Sequence, residues 1–168
     1  MMLRVVLLFC VAVLGVRAQT TRVSQCTAYP GPLPINTYIE GCIDPPCTLE
    51  KGQYAVVHII FRAPRTMRNM KTMASAFLPI IGEQTYPLGP SEHTCNFLAN
   101  TYCPIVEGEV IRYTLNMFIE LYFPRIMVPI EFRVVDENGG PVLCLRVQLR
   151  IIDPIAKLGS GNATLTDV

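Results

Sequence analysis

The residues of this chain best equipped for chemistry are its thiols, and their spacing commits them to bonding rather than to reactivity. Of seven cysteines, Cys42 and Cys47 flank a tight Ile43-Asp44-Pro45-Pro46 loop, Cys95 and Cys103 flank a seven-residue loop, and Cys26 and Cys144 stand near the two ends of the patterned region. Six cysteines admit fifteen connectivities. The nested one, two short clips inside one long closure, is favoured because both short loops close easily. A bridge from Cys26 to Cys144 spans 118 positions, and on the chain-entropy view such a closure stabilises by roughly 5 kcal/mol. Zinc is the competing use of these sulfurs, but no Cys-x-x-Cys occurs, so no metal and no cofactor are expected.

The remaining reactive types do not assemble into a catalytic pattern. There are only two histidines, and neither belongs to a His-Glu-x-x-His pair. His58 falls in the middle of a β-rich run, where a strand residue with satisfied or half-exposed nitrogens is expected, and His93 falls in the loop before Cys95. No Gly-x-Ser-x-Gly turn presents a nucleophile among Ser24, Ser75, Ser91 and Ser160. Asp136 and Glu137 are neighbours inside a turn, which reads as a solvated hairpin rather than an acid and base pair. The chain is not expected to be an enzyme.

The N-terminus gives the compartment. Met1 to Arg4 is a short basic start, Val5 to Val16 is an uncharged apolar run, and Val16-Arg17-Ala18 offers small residues before Gln19, so residues 1–18 read as a secretory signal peptide. Twelve apolar residues are too few to cross a ~30 Å hydrocarbon core as a helix. Cys10 lies in this segment and leaves the disulfide count. The expected location is secreted and extracellular, with delivery to the endosome-lysosome lumen as a further destination. Without Arg4 and Arg17 the 14 basic residues become 12 against 13 acidic ones, a net charge near −1. That balance excludes a basic stripe for nucleic acid. Arg62, Arg65, Arg68 and Lys71 form a local cationic turn, read as solvated, with anionic headgroups as the functional alternative. Asn162-Ala163-Thr164 is a glycosylation sequon inside the Gly/Ser-rich stretch 156–168, expected to be a flexible tail after a domain of residues 19–155.

The elements that position these residues show a period of two. Leu145, Val147, Leu149 and Ile151 share one face while Arg146, Gln148 and Arg150 take the other. Val128, Ile130, Phe132 and Val134 alternate with Glu131 and Arg133, and Asp136-Glu137-Asn138-Gly139-Gly140 between the two runs supplies residues that tolerate positive φ, predicting an antiparallel hairpin. Upstream, Ile111, Tyr113, Leu115, Met117 and Ile119 lie opposite Arg112, Thr114 and Asn116. Tyr54 to Phe61 is nearly all apolar and reads as a strand covered on both sides. Weaker strands near Val23–Tyr29, Ile35–Glu40, Met70–Leu78 and Gln84–Leu88 bring the count to seven or eight antiparallel strands. Fourteen prolines and no helical stripe longer than two turns complete an all-β reading as two packed sheets. Met67, Met70, Met73, Met117 and Met127 fall on or beside these strands; such side chains fill gaps in a core or adapt a pocket to varied shapes.

From Cys26 to Asp153 the chain resembles the ML (MD-2-related lipid-recognition) domain, and within it the Niemann-Pick C type 2 family of secreted sterol-transfer proteins. The segments that carry the resemblance are Gly41 to Gly52, with its Cys-Ile-Asp-Pro-Pro-Cys clip and Lys51-Gly52, the strand ending in Phe61, and Tyr86-Pro87. Cys95 to Cys103-Pro104-Ile105, Tyr113, Phe123-Pro124, Ile126 to Asp136 and Leu143-Cys144 complete it. The resemblance implies an immunoglobulin-like β-sandwich with a lipid cavity between its sheets. It places the sterol-lining positions on Tyr86, Ile119 and Phe123, with Tyr113 and Met117 on the same strand face as Ile119. Tyr86 stands where the family has phenylalanine and brings a hydroxyl that needs a partner. The implied function is a monomeric carrier of a sterol or similar lipid that hands its ligand to a membrane surface or a lipid-accepting protein. The alternative is a module that presents a lipid or semiochemical to a receptor in innate immunity or chemosensing.

Overall fold

The computed structural model describes residues 19–155, so residues 1–18, expected to be a signal peptide, and the stretch 156–168 with Asn162 lie outside the described residues. Eight strands run in chain order as β1 (Asn36–Ile39), β2 (Cys47–Glu50), β3 (Tyr54–Arg62), β4 (Met70–Leu78), β5 (Gly82–Tyr86), β6 (Val110–Phe118), β7 (Ile126–Asp136) and β8 (Pro141–Ile152). They form a three-stranded sheet ordered β1-β3-β6 and a five-stranded sheet ordered β2-β8-β7-β4-β5. Two short 3-10 helices, Gly89–Glu92 and Thr94–Phe97, stand between β5 and β6. The core fills the gap between the sheets: Val57, Ile59 and Phe61 from β3 and Ile111 and Leu115 from β6 face Phe132 and Val134 from β7 and Leu143 and Leu145 from β8.

The β7–β8 hairpin forms where the turn chemistry predicts it, with Gly139 at φ 78°. Its Asp136, expected to be solvated, is instead buried. The carboxylate accepts hydrogen bonds from the backbone N–H of Asn138 at 2.9 Å and Gly140 at 2.7 Å and from Arg65 Nε at 2.6 Å. This anchors one member of the cationic turn. Of the others, Arg62 donates to the Gly108 carbonyl at 2.8 Å and Lys71 pairs with Glu92 at 3.2 Å, so the cluster is largely engaged within the domain.

Three other expectations change. All strand pairs are antiparallel except β2 with β8, which run parallel from Cys47↔Leu149 to Glu50↔Ile152. Strand β3 is not covered on both sides: Ala55, Val57, Ile59 and Phe61 are buried, while Tyr54 is exposed and Val56, His58 and Ile60 are only half-buried. Its outer apolar residues find cross-strand partners, as where Tyr54 lies 5.1 Å from the Phe118 ring, rather than a second layer. The segment Val23–Tyr29 is not a strand. Ser24 bridges Arg146, and the chain then arches over the outer face of the larger sheet. Gly31 is required at the return, because a Cβ there would lie 2.8 Å from the backbone of Leu143 and Cys144.

That arch is pinned by side chains. Glu131, 1% exposed, accepts from the Thr27 backbone N–H at 2.7 Å and from Arg146 at 2.8 Å. Arg133 stacks 3.4 Å above the Tyr29 ring, and the Tyr29 hydroxyl bonds to Glu83. Cys26 is bonded to Cys144, Cys42 to Cys47 and Cys95 to Cys103. Ligand atoms of Cys26, Cys144 and Glu131 lie within 4.8 Å of one another, but both sulfurs are spent in the disulfide and offer a metal no thiolate.

Candidate functional site

The sheets part at the end where β4 gives way to β5 and where β7 begins. On this end the inward positions of the larger sheet are Ala76 and Leu78 of β4, Ile126, Val128 and Ile130 of β7, and Leu149 and Ile151 of β8. They stack in rows because the register sets Ala76 beside Ile130, Val128 beside Leu149 and Ile126 beside Ile151. The smaller sheet contributes Met117, followed by Ile119 just past the end of β6. Between them lies a cavity of about 330 Å³ with no ionisable carboxylate, ammonium or guanidinium in its lining. Such a hollow can hold an apolar molecule by excluding its surface from water.

Four of the five expected ligand-contact residues come together here. Tyr86, Met117, Ile119 and Phe123 line the cavity, with the Phe123 ring 5.6 Å from Tyr86 and 5.1 Å from Tyr122 in edge-on contacts. The loop that follows β6 places Tyr122, Phe123 and Pro124 at the opening. Tyr113 is set elsewhere. It is 1% exposed, and its hydroxyl lies 2.8 Å from Thr72 Oγ1, which in turn lies 2.7 Å from Thr94 Oγ1. Burial pushes the Tyr113 pKa up to about 12, with the two threonine hydroxyls pulling against that rise. This buried chain of hydroxyls ties β4, β6 and the second 3-10 helix together at the filled part of the sandwich. Of the five methionines, Met117 alone is among the lining residues; Met67 and Met70 are core and Met127 is exposed.

The Tyr86 hydroxyl finds a partner: it donates to the backbone carbonyl of Phe118. Since β5 and β6 are edge strands of different sheets, the phenol reaches across the open side of the sandwich. Burial first, then the neighbouring Glu120 and Tyr122, pushes its pKa up to about 12, so it stays a neutral donor. The same residue also borders a second, more polar groove of about 600 Å³ lined by Tyr54, Leu88, Phe97, Asn116, Phe118 and Glu120. Nothing in the sequence pattern marks this groove, since its walls come from four separate segments. His58, considered above for reactivity, is on the opposite face of the smaller sheet, with Nδ1 3.2 Å from Thr114 Oγ1 and Nε2 2.9 Å from Glu40.

The opening is bordered by exposed apolar side chains. The turn after Leu78 leaves Ile80 98% and Ile81 71% exposed, and in the loop after β6 Leu121 is 65% and the lining residue Tyr122 77% exposed. The exposed apolar residues of these two loops thus stand close in sequence to the lining residues Leu78 and Phe123.

Residues 20–151 match the family model of the ML domain. NPC intracellular cholesterol transporter 2 homolog a of Drosophila melanogaster is 24% identical over 153 residues, covering 89% of this chain and 99% of that protein. A Niemann-Pick type C2 protein from Japanese carpenter ant superposes with a TM-score of 0.66 at 18% identity, over 78% of this chain and 99% of that one. The C-terminal domain of Wzt superposes at 0.50 with 13% identity, over 83% of this chain and 86% of that one. These structural likenesses are likenesses of the sandwich alone. The family match, by contrast, spans most of the sequence, and this chain belongs to the ML-domain family.

Proposed function

We propose that this protein binds one apolar lipid, a sterol or a molecule of similar character, in the cavity between its sheets and carries it through an extracellular or lumenal space to a membrane or an accepting protein. The observation that supports the reading most is the uncharged 330 Å³ hollow lined by Tyr86, Met117, Ile119 and Phe123. Its size falls near the small end of the ~300–1,000 Å³ range of ligand pockets, which suits one slim ligand. The cholesterol transporter named in the Drosophila relative and the exposed rim of Ile80, Ile81, Leu121 and Tyr122 agree with a carrier that unloads on contact. The basic start and apolar run of residues 1–18 and the three disulfides agree with secretion.

The test is equilibrium binding of dehydroergosterol and of a fluorescent fatty acid, followed by transfer to liposomes. A carrier saturates at one ligand per chain and delivers it at a rate that rises with liposome concentration. Failure to bind either probe overturns the reading. Binding without delivery, combined with lipid-dependent capture by a receptor ectodomain, replaces it with a presenting module.

A further inference from the structure

The cavity and the groove are neighbours that share a wall. Tyr86 and Pro87 line both, and the Tyr86 ring is held in place at two points, by its hydroxyl on the Phe118 carbonyl and by its edge-on contact with Phe123. The two strand edges that flank this gap, β5 and β6, share no ladder, so backbone hydrogen bonds do not close it.

We propose that the Tyr86–Phe118 hydrogen bond is the end stop of the cavity and sets the length of lipid that it accepts; this rests on the carrier reading above. While the bond is made, the phenol walls off the groove and a ligand must fit within the cavity. When the hydroxyl is absent, only packing holds the ring, and a rotation about its side-chain torsions joins the two spaces. The groove then receives the polar end of a longer chain. Half-buried Asn116 offers an amide and Glu120 a carboxylate there, and no cation lines the space. An anionic head would face Glu120 without a counter-charge, so the class admitted is straight-chain lipids with a neutral hydroxyl head.

The experiment is displacement of phenylnaphthylamine by fatty alcohols from octanol to octadecanol, on the parent, Tyr86→Phe, Tyr86→Leu and a control Tyr102→Phe, whose side chain is 81% exposed in the Cys95–Cys103 loop. Each added methylene should strengthen binding about fourfold while the chain still finds apolar room. In the parent and Tyr102→Phe this gain stops part-way along the series. In Tyr86→Phe and Tyr86→Leu it continues, so that octadecanol binds at least about tenfold tighter than to the parent. If Tyr86→Phe stops where the parent stops, the hydrogen bond is not the end stop, whatever Tyr86→Leu does, and the proposal is overturned while the carrier reading stands. If the parent binds none of the alcohols and no sterol, both fall together.

Discussion

Ile119 and Phe123 line the same hollow, yet water reaches them differently. Ile119 is 2% exposed and belongs to the core as well as to the cavity, whereas Phe123 is half-buried at the opening. A serine at position 123 can still be hydrated in the empty protein, so Phe123→Ser should melt close to the parent and lose about tenfold to a hundredfold in probe affinity, read by titration. Ile119→Ser should cost about 3 kcal/mol in denaturant unfolding, because it leaves a void and a buried hydroxyl. Glu131 gives the acid dependence. Burial pushes its carboxyl pKa up, but the Thr27 N–H, Arg146, the Thr27 hydroxyl and the Ala28 N–H together hold it below the ordinary 4.5. A depressed folded pKa adds stability that is fully present above the unfolded value and disappears as pH falls through the folded one. The melting temperature should therefore hold from neutral to mildly acidic pH and drop below about pH 4.5, with Asp136, lowered by Arg65 and its turn amides against the cost of burial, adding to the fall. Glu131→Gln should melt lower than the parent at neutral pH, and the gap should narrow in acid. At this scale the inward face of Met117 and Ile119 was legible from alternation, while Tyr86, Ile119 and Phe123 were named as lining positions by the family resemblance. Leu78, Ile126 and Leu149 were not, because alternation reports which face a side chain takes and not whether that face is filled. Thr72 and Thr94 gave no signal at all, since two isolated threonines become a buried tie to Tyr113 only after the sheets pack.

Strands were legible in proportion to how polar their outer face is. β6 sets Arg112, Thr114 and Asn116, β7 Glu131 and Arg133, and β8 Arg146, Gln148 and Arg150 between apolar inward residues, so the period of two is unmistakable. β3 has apolar residues on both faces and was therefore assigned one cover too many. β2 has only four residues, and its partner in β8 lies about 100 positions away, so no local pattern announced it. The β4–β5 turn is the element on which delivery depends in the carrier reading. Ile80 and Ile81 make no burial there that would justify two exposed isoleucines in water. Replacing both by aspartate should leave the melting temperature within a degree or two and equilibrium lipid binding intact, since neither residue is among those lining the cavity. Transfer to liposomes should slow by about tenfold or more, because the tip would meet the bilayer with two charges to desolvate. Unchanged transfer rates would assign the contact to another surface.

Across the whole molecule, the longest constraint is Cys26–Cys144, closing 118 positions and tying the arch to β8. Removing it with Cys26→Ala and Cys144→Ala should cost about 4 kcal/mol, on the order of 10 °C in melting temperature by calorimetry. Deleting residues 156–168 should change neither melting nor binding, because Asp153, just after β8, is already held by Lys51 and Arg125 at 2.6 and 3.4 Å. The parallel run of β2 beside β8 has one more consequence, and it concerns attachment. β8 ends at Ile152, directly after Ile151 of the cavity wall, so the last described residue, Ile155, follows the lining by four positions. Asn162 stands seven positions after Ile155, a contour of at most ~25 Å. In the carrier reading, a sugar chain added there is tethered within that reach of the last described residue and should slow transfer to liposomes, measured against the unglycosylated protein. The same cargo placed before Gln19 enters from the edge of β1, where Thr21 bonds to Thr37.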